Sequence, residues 1–147
     1  MLADATNEPA KTFTVLLTGA SGAVVGTPGG QTVTITDDDP APVMRIEQPG
    51  ADATVHTPFT VSGWALDSTV PTGTGVDVIH VYATPTGGTA QFLGAATYGG
   101  ARSDIGALYG SRFTNSGYTL TAQVTPGAYV LTVYARNSAT GGLRGDN

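Results

Sequence analysis

Three features of the sequence predict an all-β fold. Apolar residues alternate with Thr, Ser and Tyr over short runs, the pattern of a strand with one buried face. Gly and Pro, 21 and 9 of 147 residues, recur between these runs with no collagen-like period and so mark turns. Nearly every helix-length window also holds a Gly, a Pro or a Thr/Val cluster, which leaves little room for long helices.

Taken in order, Thr12–Leu17 alternates and then runs apolar, and Gln31–Thr36 alternates with Val33 and Ile35 on one face. Joined by a Gly-rich loop, the two runs make a hairpin, which needs partners because a lone hairpin is only marginally stable. Asp37-Asp38-Asp39 and then Pro40-Ala41-Pro42 close it, the prolines stopping the strand and stiffening a linker. Six further strands are expected at Val43–Glu47, Phe59–Leu66, Val76–Ala83, Gln91–Tyr98, Tyr118–Val124 and Tyr129–Asn137. Between them lie turn signals such as Pro49-Gly50, Pro71-Thr72-Gly73, Gly99-Gly100 and Pro126-Gly127. Short strands at this spacing indicate a β-sandwich. Ser103–Gly110 is less regular and suits a single helical turn or an ordered loop. After Asn137 a hairpin turn is expected with no returning strand, which leaves the sandwich one strand short.

Composition narrows the function. Length allows one ordinary domain or two small modules. Only 12% of residues are charged and the net charge is −5, so six cationic residues cannot form a basic stripe. Nucleic-acid binding and attraction to anionic membranes are therefore not expected. No apolar run is long enough to predict a membrane span. Cysteine is absent, which removes disulfides, thiolate metal sites and Cys nucleophiles. Met1-Leu2-Ala3-Asp4 leads into polar sequence rather than an apolar leader, and the expectation is an internal piece of a longer secreted or cell-surface chain.

Several motifs have competing explanations. Calcium takes about 6–8 oxygen ligands and favours carboxylates, whereas three adjacent Asp residues in a loop are equally compatible with simple solvation. Gly73-Thr74-Gly75 begins like a dinucleotide fingerprint but lacks the third glycine and leads into a strand, so a tight turn is expected. His80 lies within an alternating strand as a structural residue; a triad around it would draw on Ser62 and Asp77, and no Gly-x-Ser-x-Gly elbow is present. Trp64, Tyr82, Tyr98, Tyr109, Tyr118 and Tyr134 could stack on sugars if exposed, but core and sheet-face packing is the expectation for them. Arg144-Gly145-Asp146 spells an integrin-type tripeptide and is expected to be part of a turn.

Two resemblances add to this reading. Asp4, the run Glu8-Pro9-Ala10-Lys11-Thr12-Phe13-Thr14-Val15-Leu16-Leu17 and the closing Val33-Thr34-Ile35-Thr36-Asp37-Asp38-Asp39 resemble the C-terminal half of a Calx-β domain. The resemblance covers about a quarter of the chain, and the family's N-terminal strands have no counterpart in it. It implies that Asp4, Glu8, Asp37, Asp38 and Asp39 correspond to acidic positions that gather calcium at one end of such a sandwich. A hairpin returns both ends to one edge, which suits this set, although strand alternation would separate Asp38 from its neighbours.

The stretch from Val43 to Gly142 resembles an immunoglobulin-like module of multidomain secreted bacterial proteins. Val61-Ser62-Gly63-Trp64-Ala65-Leu66-Asp67, Gly73–Ala83, Phe92–Gly99 and the tyrosine-corner strand in Pro126–Ala135 carry this likeness.

The expected organisation is thus a partial Calx-β hairpin (1–39), a Pro linker (40–42) and an Ig-like β-sandwich lacking its last strand (43–147). The expected function is a non-enzymatic structural or adhesive module, with calcium as the ligand that the Calx-β resemblance implies. Its partners would be neighbouring domains of a larger chain and a cell-surface protein or polysaccharide. The alternative is a carbohydrate-binding accessory module of a secreted hydrolase.

Overall fold

The computed structural model describes residues 11–16, 18, 21–24, 26, 27, 29–35 and 42–147. Among these, ten strands form three sheets, and the protein is all-β apart from one short helical segment. β1 (Lys11–Leu16) and β2 (Gly30–Ile35) make an antiparallel hairpin. Its register pairs Phe13 with Val33 and Thr14 with Thr32. Because side chains alternate between faces, one face collects Phe13, Val15, Val33 and Ile35 and the other is mostly threonine. The apolar face is uncovered, with Phe13 49% exposed. Of the proline linker, only Pro42 lies among the described residues, and it is fully buried.

The remaining strands form two packed four-stranded sheets. One has the order β3 (Val43–Gln48), β4 (Phe59–Leu66), β8 (Gly117–Ala122), β7 (Thr97–Gly100). The other has the order β10 (Leu143–Asp146), β9 (Tyr129–Asn137), β5 (Val76–Pro85), β6 (Gln91–Ala95). All pairings are antiparallel. Alternation decides what goes inside. Val61 and Ala65 of β4, Tyr118 and Ala122 of β8, Ile79 and Val81 of β5 and Val133 and Ala135 of β9 meet in one core.

Strand positions follow the sequence pattern closely, with two departures. The run expected as one strand over Gln91–Tyr98 is two. β6 pairs with β5, the Ala96 amide donates to the Ile79 carbonyl (2.9 Å), and β7 then pairs with β8 in the opposite sheet. Gly94, at φ +145°, lies just before the crossing. The second departure is a returning strand where none was expected. β10 pairs Leu143 with Arg136 and Asp146 with Val133, so Arg144-Gly145-Asp146 is strand rather than turn. Each residue of its last pair has a structural task. A side chain on Gly145 would press into the Tyr134 ring, and the Asp146 carboxylate accepts a hydrogen bond from the Ile46 amide (3.2 Å). That bond ties β10 to β3 across the open side of the sandwich and occupies an edge-strand donor.

Trp64 explains a further feature. Val61 and Ala65 face the central core, whereas Trp64 and Leu66 point out of the opposite face of the same sheet. There the segment between β7 and β8 folds over them: helix α1 (Ser103–Tyr109) and a 3₁₀ turn at Ser111–Phe113. Ile105 and Phe113 join Trp64 and Leu66 in a second small core, and Trp64 is only 8% exposed. Arg112 fixes this cap, with its guanidinium 4.2 Å from the Phe113 ring centre and a donor on the Ser68 carbonyl (2.9 Å). Arg102 fixes its other end by bidentate contacts to both Glu47 and Asp104, from 2.6 to 3.0 Å.

Candidate functional site

The acidic residues expected to hold calcium, Asp4, Glu8, Asp37, Asp38 and Asp39, all lie outside the described residues. Among the described residues, no group of three or more His, Cys, Asp or Glu is close enough to hold a metal. The carboxyl groups there are mostly engaged in the fold. Arg136 donates twice to Asp77, at 3.0 and 2.9 Å, and this hydrogen-bonded pair holds the Asp77 carboxyl below its usual range. Arg102 in the same way lowers Asp104 to about 2.

Asp67, buried at the end of β4, is the most heavily bonded. One of its oxygens accepts from the Thr69 amide (2.9 Å) and hydroxyl (2.6 Å), and the other accepts from the Asn137 side chain (2.6 Å). Asn137 in turn accepts from the amides of Ala139 and Thr140, both at 2.8 Å. This polar knot joins the two sheets at one end. Gly75 completes it at φ +77°, where a side chain would collide with the Asp67 backbone. The glycines of the fingerprint-like run thus serve a tight turn into β5, as the sequence suggests.

The residues considered for a triad do not meet. His80 points outward from the β5 face of one sheet. Ser62 alternates with the core-facing Val61 of β4 and so lies on the outer side of the other sheet, while Asp77 is held by Arg136.

The tyrosines divide by what their hydroxyls do. Tyr98 donates to the Ala65 carbonyl (2.7 Å) and Tyr118 to the Arg45 carbonyl (3.1 Å). Burial pushes the Tyr98 phenol up to about 12 and raises Tyr118 as well, the latter with help from the charges of Asp146 and Glu47. Tyr129, at the start of β9, donates back to the Thr125 carbonyl (3.0 Å), the geometry of a tyrosine corner. These three hydroxyls are committed to the fold.

Tyr82 and Tyr134 are different. They stand on the outer face of the β10-β9-β5-β6 sheet, where the register brings His80 opposite Tyr134 and Tyr82 opposite Thr132 and Phe92. The rings of Tyr82 and Tyr134 meet edge to face at 5.6 Å. Phe92 packs against Tyr82 at 5.1 Å and His80 at 5.2 Å. Such offset and edge contacts are the favoured aromatic geometries. The cluster stays open to solvent, with Phe92 51% and Tyr134 37% exposed. Beside it runs a groove of about 290 Å³ lined by His80, Tyr82, Thr84, Thr132, Tyr134 and a short apolar remainder. Among the described residues, no Asp, Glu, Lys or Arg lines it.

A larger groove of about 650 Å³ opens at one end of the sandwich, between the β3–β4 and β8–β9 loops. Its polar wall is partly spent, since Thr125 and Tyr129 bond to each other at 2.9 Å. Trp64, the most prominent aromatic in the sequence, belongs to neither groove.

Comparison with protein-family models, with curated proteins and with solved structures returns no match.

Proposed function

We propose that the chain is a non-enzymatic structural or adhesive module of a secreted or cell-surface bacterial protein, with an Ig-like sandwich following a partial Calx-β hairpin. The strand order carries this reading. β3-β4-β8-β7 over β10-β9-β5-β6 is the arrangement of an immunoglobulin sandwich, with a fourth strand added beside the β10-β9-β5 set. The Tyr129–Thr125 tyrosine corner supports the same assignment. Carrying function over from a fold of this kind is an analogy, so the adhesive role needs its own test.

Calcium is part of the proposal for the hairpin. Its register pairs Lys11 with Ile35, three residues after Glu8 and two before Asp37 in the sequence. Bound calcium would add stability by preferring the folded form. Calorimetric titration of the full chain with millimolar calcium, paired with a melt in chelator, checks this; identical melts in metal and chelator remove the calcium claim.

For adhesion, beads coated with the full chain are expected to attach to bacterial cells and polysaccharide-coated surfaces under flow. Attachment no greater than that of beads carrying an unrelated β-sandwich would dispose of the adhesive reading. A second reading, a carbohydrate-binding accessory module, is favoured by the exposed rings of Tyr82, Tyr134 and Phe92.

A further inference from the structure

We infer that the groove beside Tyr82 and Tyr134, on the outer face of the β10-β9-β5-β6 sheet, is a binding site for neutral saccharides. This deepens the adhesive reading and rests on it, by naming the ligand and the face that takes it.

Tyr98, Tyr118 and Tyr129 each spend their hydroxyl on a backbone carbonyl. The hydroxyls of Tyr82, Tyr134, Thr84 and Thr132 and the ring nitrogens of His80 have no protein partner among the described residues, and all five residues line the same groove. Open to solvent, these groups bond to water, which the hydroxyls of a ligand can replace. Here they are interleaved with exposed ring surface.

The chemistry of the wall selects the ligand. Negative ring faces receive C–H groups, while the hydroxyls and imidazole both donate and accept. A pyranose presents both, a C–H face and a rim of hydroxyls. Among the described residues an anion finds no free cation at the wall, since the nearby Arg136 is paired with Asp77, and the chain carries a net −5. Among those residues a metal finds no carboxylate there either. A peptide strand would pair along a sheet edge, whereas this groove lies on a sheet face. A volume of about 290 Å³ has room for about one or two sugar rings, just below the usual range for small-molecule sites.

Affinity electrophoresis of the full chain tests this in gels containing laminarin, xyloglucan, xylan or mannan, with polygalacturonate as the charged comparison. At least one neutral polysaccharide is expected to retard the protein, and polygalacturonate is not. Tyr82→Ala and Tyr134→Ala are each expected to weaken retardation by about tenfold, and Tyr134→Phe, which keeps the ring and loses the hydroxyl, to weaken it several-fold. Because the Tyr134 ring also rests on Gly145, Trp64 fluorescence and thermal melts monitor folding.

Should the alanine variants unfold, Tyr82→Phe and Thr132→Val decide, since they remove only a hydroxyl from the groove; a several-fold loss supports the site and unchanged retardation overturns it. Retardation by none of the four neutral polysaccharides, or retardation that survives both alanine substitutions, also overturns it. Beads that adhere equally well with and without Tyr134 would leave the adhesive reading standing and sink the saccharide site alone.

Discussion

Replacing Asn137 with alanine tests whether the two sheets are locked together by the buried polar knot. Asn137 is 1% exposed, as is Asp67. The substitution removes the 2.6 Å bond to the Asp67 carboxyl and the two 2.8 Å bonds that shape the turn between β9 and β10. A bond to a carboxylate contributes about 1.5–3 kcal/mol and each amide bond about 1 kcal/mol, and one Asp67 oxygen is left buried without its donor. The expected cost is therefore about 3–5 kcal/mol, a large share of the about 5–15 kcal/mol that holds a domain folded. In a thermal scan this is a fall of about 10–25 °C.

Trp64 is the single tryptophan and is buried under α1, so its fluorescence follows unfolding of the sandwich in urea without added labels. Asp67→Ala and the double variant complete a cycle, in which the two residues are expected to couple by about 1–3 kcal/mol. A cost below about 1 kcal/mol for Asn137→Ala, or an additive double variant, would show that the knot does not lock the sheets.

Three further outcomes follow from individual side chains. Tyr98 is raised to about 12 and Tyr118 is raised too, so keeping these phenols neutral stabilises the fold fully below about pH 10. That stability is lost as pH rises towards 12, so alkaline unfolding is expected together with a late step of tyrosinate absorbance; the step should vanish in the Tyr98→Phe, Tyr118→Phe double variant. The buried Ser116 hydroxyl has no hydrogen-bond partner among the described residues, and Ser116→Ala is expected to leave the urea midpoint unchanged or raise it. A loss of more than about 1 kcal/mol there would reveal a partner for that hydroxyl. Gly75→Ala should cost about 1–3 kcal/mol in the same assay, because φ is +77° and the added carbon meets the Asp67 backbone; a neutral result would mean the turn has a second conformation open to it.

How much of this was legible in the sequence depends on the range of the interaction that decides each feature. Strand positions were legible because alternation is local: Phe59–Leu66 and Tyr129–Asn137 fall where the pattern puts them. The switch of sheets at Ala96 was not. No Pro or charged residue breaks Gln91–Tyr98, and the partners β5 and β8, distant in sequence, determine where the strand must cross. The return of β10 was hidden for a related reason. Leu143–Asp146 is short and polar, with no strand pattern of its own, and it is held by pairing to β9 and by the bond from Ile46 to Asp146. The acidic residues Asp4, Glu8 and Asp37–Asp39 remain a reading from resemblance, since they lie outside the described residues.

The candidate site illustrates the harder case. Tyr82, Tyr98, Tyr118 and Tyr134 all sit in strands, and strand position alone does not separate the two that serve the fold from the two that face outward. What separates them is across-sheet geometry. Tyr118 reaches the Arg45 carbonyl because Gly63, its partner on β4, has no side chain to block the path, whereas Tyr134 opposes His80 on an outer face that none of the described residues covers. The same logic moves the aromatic candidate away from Trp64. Its position one residue before the core-facing Ala65 turns it out of the main core, and it is buried only because a loop 40 residues later folds α1 over it. Among the described residues a cap lies over one outer face and not over the other, which leaves the Tyr82–Tyr134 groove open to a ligand, and that asymmetry comes from where the chain places α1 rather than from any motif.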